Sequence, residues 1–279
     1  MKCNFLFLLI VLGLTQTGAV FSQSQKSPAI LPAVPSVSAG YHIFSHSHND
    51  YEHAHPLMDA LDNRFYSIEA DIWLKDGEIL VSHSVGSSKG SLKQLYLDPL
   101  QKRVDEKGSV YGDKETVYLW LDLKEGRSEL RPALHHLLKQ YSMITRFTDS
   151  RIIPGAVTAI LTGDAESKTA YGNEFSERMA CRDSNDYTPA DPPADHRWRA
   201  YALKWSSYIQ WNGKGIIPEA EYKKLVAIVS DIHAKGRKVR FYATPETKAY
   251  WELALKLGLD WLNTDLLSDL NEFLQNYRP

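Results

Sequence analysis

A TIM-type (β/α)8 barrel is the fold this sequence predicts, on three observations. From Tyr66 onward, short β-type apolar runs alternate with helical stretches, the pattern of a parallel sheet covered by helices. About 240 residues remain after an N-terminal address and leader, a length that fits one such barrel. The most chemically suggestive polar side chains stand where strands finish, the face on which barrels of this kind carry their chemistry.

Lys2 followed by the apolar run Phe5 to Leu14 and then Val20-Phe21-Ser22 reads as a secretory signal peptide over residues 1–22. The run is too short to span a bilayer comfortably. The expectation is an exported protein, periplasmic or secreted. Residues 23–39, rich in Ser, Pro, Ala and Gln, read as a flexible leader, and residues 40–279 as the barrel domain. No later segment is apolar for long enough to cross a membrane. Cys3 leaves with the signal, so Cys181 has no partner for an internal disulfide. The net charge of -2 with no basic block excludes bulk nucleic-acid binding.

Tyr41 to Ser45 reads as a strand ending at the histidines, and Pro56 to Asn63 as a helix with proline near its start. Tyr66 to Trp73 is a strand in which Ile68, Ala70 and Ile72 share one face and Glu69 and Asp71 the other. Lys75 to Glu78 is a turn, Ile79 to Ser82 its return, and His83 stands at the end of that return. Thr116 to Leu123 is a strand and Leu130 to Tyr141 a helix. Ala156 to Leu161 is a strand closed by Thr162-Gly163-Asp164, and Phe175 to Asp183 another strand. Asp183 to Asp195, with three prolines, is a loop. Then come strand Ala200 to Trp205, helix Pro218 to Lys235, strand Val239 to Ala243, helix Lys248 to Leu257, strand Trp261 to Asn263 and helix Leu267 to Tyr277. The middle third fits regular units least well.

Three segments carry chemistry: His48-Asn49-Asp50-Tyr51, then Glu69-Ala70-Asp71, then His83. Two imidazoles at strand ends suit proton transfer near neutral pH, so His48 and His83 are the candidate catalytic pair. Glu69, Asp71 and Asp122 would repel one another at one mouth unless a cation sat among them, and oxygen ligands favour Mg2+ or Ca2+. Lys124, two residues beyond Asp122, shares its strand face and is a candidate for phosphate. Asn49 and Trp205 are the further candidates for substrate contact. The combination suits phosphodiester cleavage.

The run His48 to Pro56, Glu69-x-Asp71, Asp76-Gly77 and His83 resembles the glycerophosphodiester phosphodiesterase family and the wider phosphatidylinositol phospholipase C-like phosphodiesterase superfamily. Leu121-Asp122-Leu123-Lys124 is similar to the third metal-ligand strand of the spider-venom-type sphingomyelinase D branch. The resemblance implies a TIM barrel, a metal-dependent phosphodiesterase, a glycerophosphodiester or phospholipid-headgroup substrate, and attack by a neighbouring substrate hydroxyl to give a cyclic phosphate. Asn49 and Asp50 stand where the family usually has Arg and Gly, and Leu57-Met58-Asp59 where it has Glu-Asn-Thr.

Three rival readings compete. His46-Ser47-His48 is the His-x-His pair of metal-dependent amidohydrolases and related phosphatases, which would need further histidines at later strand ends. A non-catalytic barrel would bind phosphoryl ligands without turnover. A glycosidase would use Glu69 and Asp122 as acid and base. No amphipathic membrane-binding helix stands out, which slightly favours soluble esters over lipids.

Overall fold

The computed structural model describes residues 45–277 together with Met1. The signal peptide, the leader and residues 41–44 of the first expected strand lie outside the described residues. In chain order the strands are β1 (Ser45–Ser47), β2 (Ser67–Lys75), β3 (Glu78–Val81), β4 (Gly90–Ser91), β5 (Val117–Leu123), β6 (Arg146–Phe147), β7 (Ile152–Ile153), β8 (Val157–Gly163), β9 (Ala180–Ser184), β10 (Trp198–Lys204), β11 (Lys238–Tyr242) and β12 (Trp261–Thr264). The helices are α1 (Met58–Asp62), α2 (Asp98–Lys107), α3 (Leu130–Leu138), α4 (Ala165–Glu174), α5 (Trp205–Tyr208), α6 (Glu219–Ala234), α7 (Lys248–Leu257) and α8 (Leu267–Asn276).

The order β1-β12-β11-β10-β9-β8-β5-β2 is parallel throughout, and β2 pairs back with β1 to close the barrel. β3 and β4 extend the upper half of β2 as an antiparallel hairpin and flap.

Alternation along each strand divides the interior in two. On β5, Val117, Leu119, Leu121 and Leu123 are buried outward beneath the helices, while Trp120 joins a separate cluster inside the barrel. That inner cluster holds Ile160, Cys181, Ala200, Ala202 and Trp261, with Trp120 and Trp261 edge to face at 5.1 Å. The antiparallel pair β6–β7 adds Phe147 to the same inner core. Cys181 is free, and burial pushes its thiol up to about 12, so it stays an inert apolar filler.

Most expected elements appear within a residue or two of their predicted ends, and α7 spans the expected residues, capped by Thr247 and closed by Gly258 in the left-handed region. The middle third needs correction. Ala165–Glu174 is a helix with Asp164 as its cap, accepting from the Ser167 N–H. Its ten residues offer Tyr171 as the one large apolar anchor, so no apolar stripe betrays it. The strand expected from Phe175 starts at Ala180 instead, because Phe175 is used to stack on His135 at 3.8 Å. Helix α2 was also unanticipated.

Leu121 is fully buried in the apolar layer between barrel and helices. Leu121→Ala is expected to lower unfolding free energy by about 2–5 kcal/mol in urea denaturation, with the fold retained.

Candidate active site

The carboxylates come from adjacent strands at one level. Asp71 and Asp122 are register partners on β2 and β5, and Glu69 stands two residues below Asp71 on the same inward face. One oxygen from each of Glu69, Asp71 and Asp122 lies within 4.8 Å of the others. Such crowding is made sterically possible by Gly163 on β8, the partner of Leu123. Its φ is +82°, and a methyl group there would collide with Asp122 Oδ1 and the Leu123 backbone.

Each carboxylate is held differently. Glu69 is buried, and its Oε2 accepts from the Arg240 guanidinium at 2.7 Å and from His46 Nε2 at 2.9 Å. Burial would raise its pKa, but Arg240 and His46 outweigh this and hold it below the usual carboxylate range. For His46, burial and Arg240 drive the imidazole down to about 3, so the ring is neutral. Its Nε2–H therefore donates to Glu69, leaving Nδ1 to accept from Ser67 Oγ at 2.7 Å, which itself accepts from Trp120 Nε1 at 2.9 Å. Donors thus point in one direction, from Trp120 through Ser67 and His46 to Glu69.

Asp71 is fully buried, and three donors converge on its Oδ2: Tyr51 Oη at 2.7 Å, Lys124 Nζ at 2.9 Å and His83 Nδ1 at 3.0 Å. Its Oδ1 is buried with no hydrogen-bond partner. An orphaned carboxylate oxygen beside two other carboxylates is what an oxygen-preferring divalent cation would satisfy. Asp122 accepts from Lys124 at 2.8 Å. Burial and then the Glu69 charge push its carboxyl up to about 6, with Lys124 pulling the other way. Burial also works against the Lys124 charge, but Asp122 and Asp71 keep the ammonium above its usual value.

His48 follows β1, whose own pairing is continued by the His48 N–H donating to the Thr264 carbonyl at 3.1 Å. Its Nδ1 lies 2.8 Å from Asp265 Oδ1. Burial opposes a charged ring here, but the Asp265 hydrogen bond and the Glu69 charge outweigh it and hold His48 above its ordinary 6.5. His83 is more open, with 69% of its side chain exposed. Both histidines therefore pair Nδ1 with a carboxylate and keep Nε2 for chemistry. The turn carrying His48 is fixed by Asp50, which accepts from Ser47 Oγ, the Leu57 N–H and Tyr96 Oη. Asn49 takes a left-handed φ of 46° in that turn, with Nδ2 3.3 Å from His48 Nδ1 and Oδ1 3.2 Å from Tyr51 Oη.

The structure thus brings His48, Asn49, Glu69, Asp71, His83, Asp122 and Lys124 to the C-terminal end of the barrel. Trp205 is not among them. It is buried in α5, edge to face with Phe241 and Tyr250, and its indole N–H donates to the Trp211 carbonyl. Sequence reasoning missed Arg240 and gave Asp265 no chemistry. Alternation on β11 does place Arg240 opposite the buried Val239 and Phe241, hence inward; Asp265 becomes meaningful only once β12 lies beside β1. Both ring nitrogens of His46 are engaged, and His135, His196 and His233 bond Tyr171, the Thr148 carbonyl and Asp260 elsewhere, so the His-x-His metal reading lacks ligands.

Asp265 is a positioning residue for His48. Because the folded-state pKa of His48 is raised, its stabilising contribution is complete below 6.5 and fades as pH rises through the folded value. In Asp265→Asn, the NMR titration midpoint of His48 is expected to fall and this pH-dependent increment to shrink. Gly163→Ala is expected to lower unfolding free energy by about 1–3 kcal/mol, read by thermal melting, through backbone strain and displacement of Asp122.

Comparison with known proteins adds the family. A family model described as the AIM6-like phosphodiesterase domain matches residues 38–180, more than half of the chain. The chain is similar to altered inheritance of mitochondria protein 6 of Eremothecium gossypii, 25% identical over 278 residues that cover 82% of this chain and 68% of that protein. The protein of the same name in Lachancea thermotolerans is 24% identical over 304 residues, covering 91% and 68%. That of Kluyveromyces lactis is 28% identical over 301 residues, covering 82% and 71%. No solved structure matches. A barrel with this cluster of carboxylates and imidazoles, matched over its first half by that model, belongs to the AIM6-like phosphodiesterase domain family.

Proposed function

We propose that this domain is a metal-dependent phosphodiesterase that cleaves glycerophosphodiester or phospholipid-headgroup-type esters by acid–base catalysis between His48 and His83, in the manner of the glycerophosphodiester phosphodiesterase family. The observation that carries the reading is the orphaned Oδ1 of Asp71 beside Glu69 and Asp122. Those three residues would hold one Mg2+ or Ca2+. The ion, when bound, offsets the charge of the phosphate and of the oxygens exchanged at phosphorus.

The chain's own groups perform the proton work. One imidazole Nε2 removes the proton of the attacking hydroxyl as the new P–O bond forms. The other gives a proton to the departing oxygen as the old P–O bond breaks. Asp71 and Asp265 hold the two rings by Nδ1, which leaves each Nε2 for proton transfer. Lys124, paired with Asp71 and Asp122, adds positive charge at that mouth and takes the place of the family's arginine, which is Asn49 here. A neighbouring hydroxyl of the substrate as attacker gives a cyclic phosphate, and water gives a monoester. A glycosidase would leave His48 and His83, each held by a carboxylate at Nδ1, without a role. We read residues 1–22 as the export signal, which N-terminal sequencing of the mature protein checks.

Turnover of bis(p-nitrophenyl) phosphate and glycerophosphodiesters is expected to vanish in EDTA and return with Mg2+ or Ca2+; undiminished turnover in EDTA rejects the ion. His48→Ala and His83→Ala are each expected to reduce kcat by about 10²–10⁴ without loss of fold. Full activity in either variant rejects the proton-transfer roles. Phosphate binding without turnover under either ion would favour the non-catalytic barrel.

A further inference from the structure

The end of the barrel opposite the carboxylates holds a cavity of about 140 Å³. It lies where the parallel strands begin: Tyr118, Lys238 and Trp261 line it from the first two residues of β5, β11 and β12. The β6–β7 hairpin closes one side with Phe147, and Ile160 and Cys181 of the inner apolar cluster form its deep wall. An apolar cavity of about 150 Å³ accommodates benzene, so the space here suits a single ring.

One charged side chain of the lining has no counterpart. Arg199 is half-buried and makes no hydrogen bond or ion pair with another described residue. A β-bulge puts it there. β10 pairs Trp198 with Arg182 and Ala200 with Asp183, so it carries one residue more than β9 at this point, and that residue is Arg199. Ala200 and Ala202 belong to the inner cluster, so strict alternation would turn Arg199 away from the lumen. The bulge re-aims it to the cavity wall. Lys238 is the second cation, its Nζ 5.4 Å over the Trp261 ring and 5.8 Å over Tyr118. No carboxylate lines the cavity. The neighbouring acid, Asp260, is taken up by Lys238, His233 and the Val239 N–H. Arg199 is the charge left over.

We propose that this cavity is a second binding site, for an aromatic monocarboxylate whose ring packs against Phe147 and Trp261 and whose carboxylate pairs with Arg199. The unpaired guanidinium selects an anionic head, since its fork of N–H donors matches a carboxylate. The walls select an apolar body, and the volume limits that body to one ring. The site shares no residue with the catalytic cluster and does not rest on the phosphodiesterase reading.

The test is calorimetric titration of the purified protein with benzoate. EDTA is present, so that no ion at the catalytic mouth takes the carboxylate. Benzoate is expected to saturate one site per chain. Benzyl alcohol keeps the ring without the charge, and acetate keeps the charge without the ring. Each is expected to bind about ten-fold more weakly or worse. Arg199→Gln is expected to melt at the wild-type midpoint, because the guanidinium has no bond within the protein to lose, and to weaken benzoate about ten-fold or more. Absence of saturable benzoate binding overturns the site, and so does benzoate binding that Arg199→Gln leaves unchanged. Inorganic phosphate binding as tightly as benzoate overturns it too, since the ring would then contribute nothing. Arg199→Gln melting well below wild type overturns it as well, because the guanidinium would already be bonded within the fold.

Discussion

Three carboxylates within 4.8 Å of one another, with Asp71 wholly buried, set the terms for the upper half of this barrel. Like charges at that separation out of water are strongly unfavourable unless each has an opposite partner. The structure answers with Arg240 beneath Glu69, Lys124 across Asp71 and Asp122, and a neutral His46 whose proton is spent on Glu69. Three donors crowd onto one oxygen of Asp71 and leave the other bare. Protein groups thus leave one oxygen of this crowded cluster, Asp71 Oδ1, without a hydrogen-bond partner.

The barrel supplies the geometry cheaply. Alternation along β2 and β5 sends Ile and Leu outward to the helices and acids inward, and parallel register brings Asp71 and Asp122 level. Below Asp71 and Asp122, and beginning at the level of Glu69, Trp120 and Trp261 fill the lumen, so the polar layer rests on an apolar floor. The Trp120–Ser67–His46–Glu69 chain joins the two layers, and the Arg240 guanidinium stacked 4.4 Å over Trp120 belongs to both.

Much of this was legible in the sequence where a residue's role depends on near neighbours. Glu69-x-Asp71 announces a strand face, Asp122-x-Lys124 another, and α7 carries its own cap and stop. What depends on strands distant in sequence was not legible. Asp265 acquires its role from a partner 217 residues away, and Arg240 from one on β2. Helix α4 was hidden because most of its residues are polar or small, and its position is decided by a single cap and by Tyr171. Trp205 misled in the opposite direction: an aromatic at a strand end has the address of a substrate contact, but here it serves as a wedge between β11 and α7.

β1 is three residues long, yet it is hydrogen-bonded on both sides, to β12 and to β2. The same short segment presents His46 and leads straight into His48. Lose it, and the sheet acquires two raw edges at the moment the chemistry disappears. Competence and integrity are therefore cooperative here: amide protons at residues 46–48 should exchange with solvent only through global opening, and no half-melted form can keep the barrel while idling without its histidines.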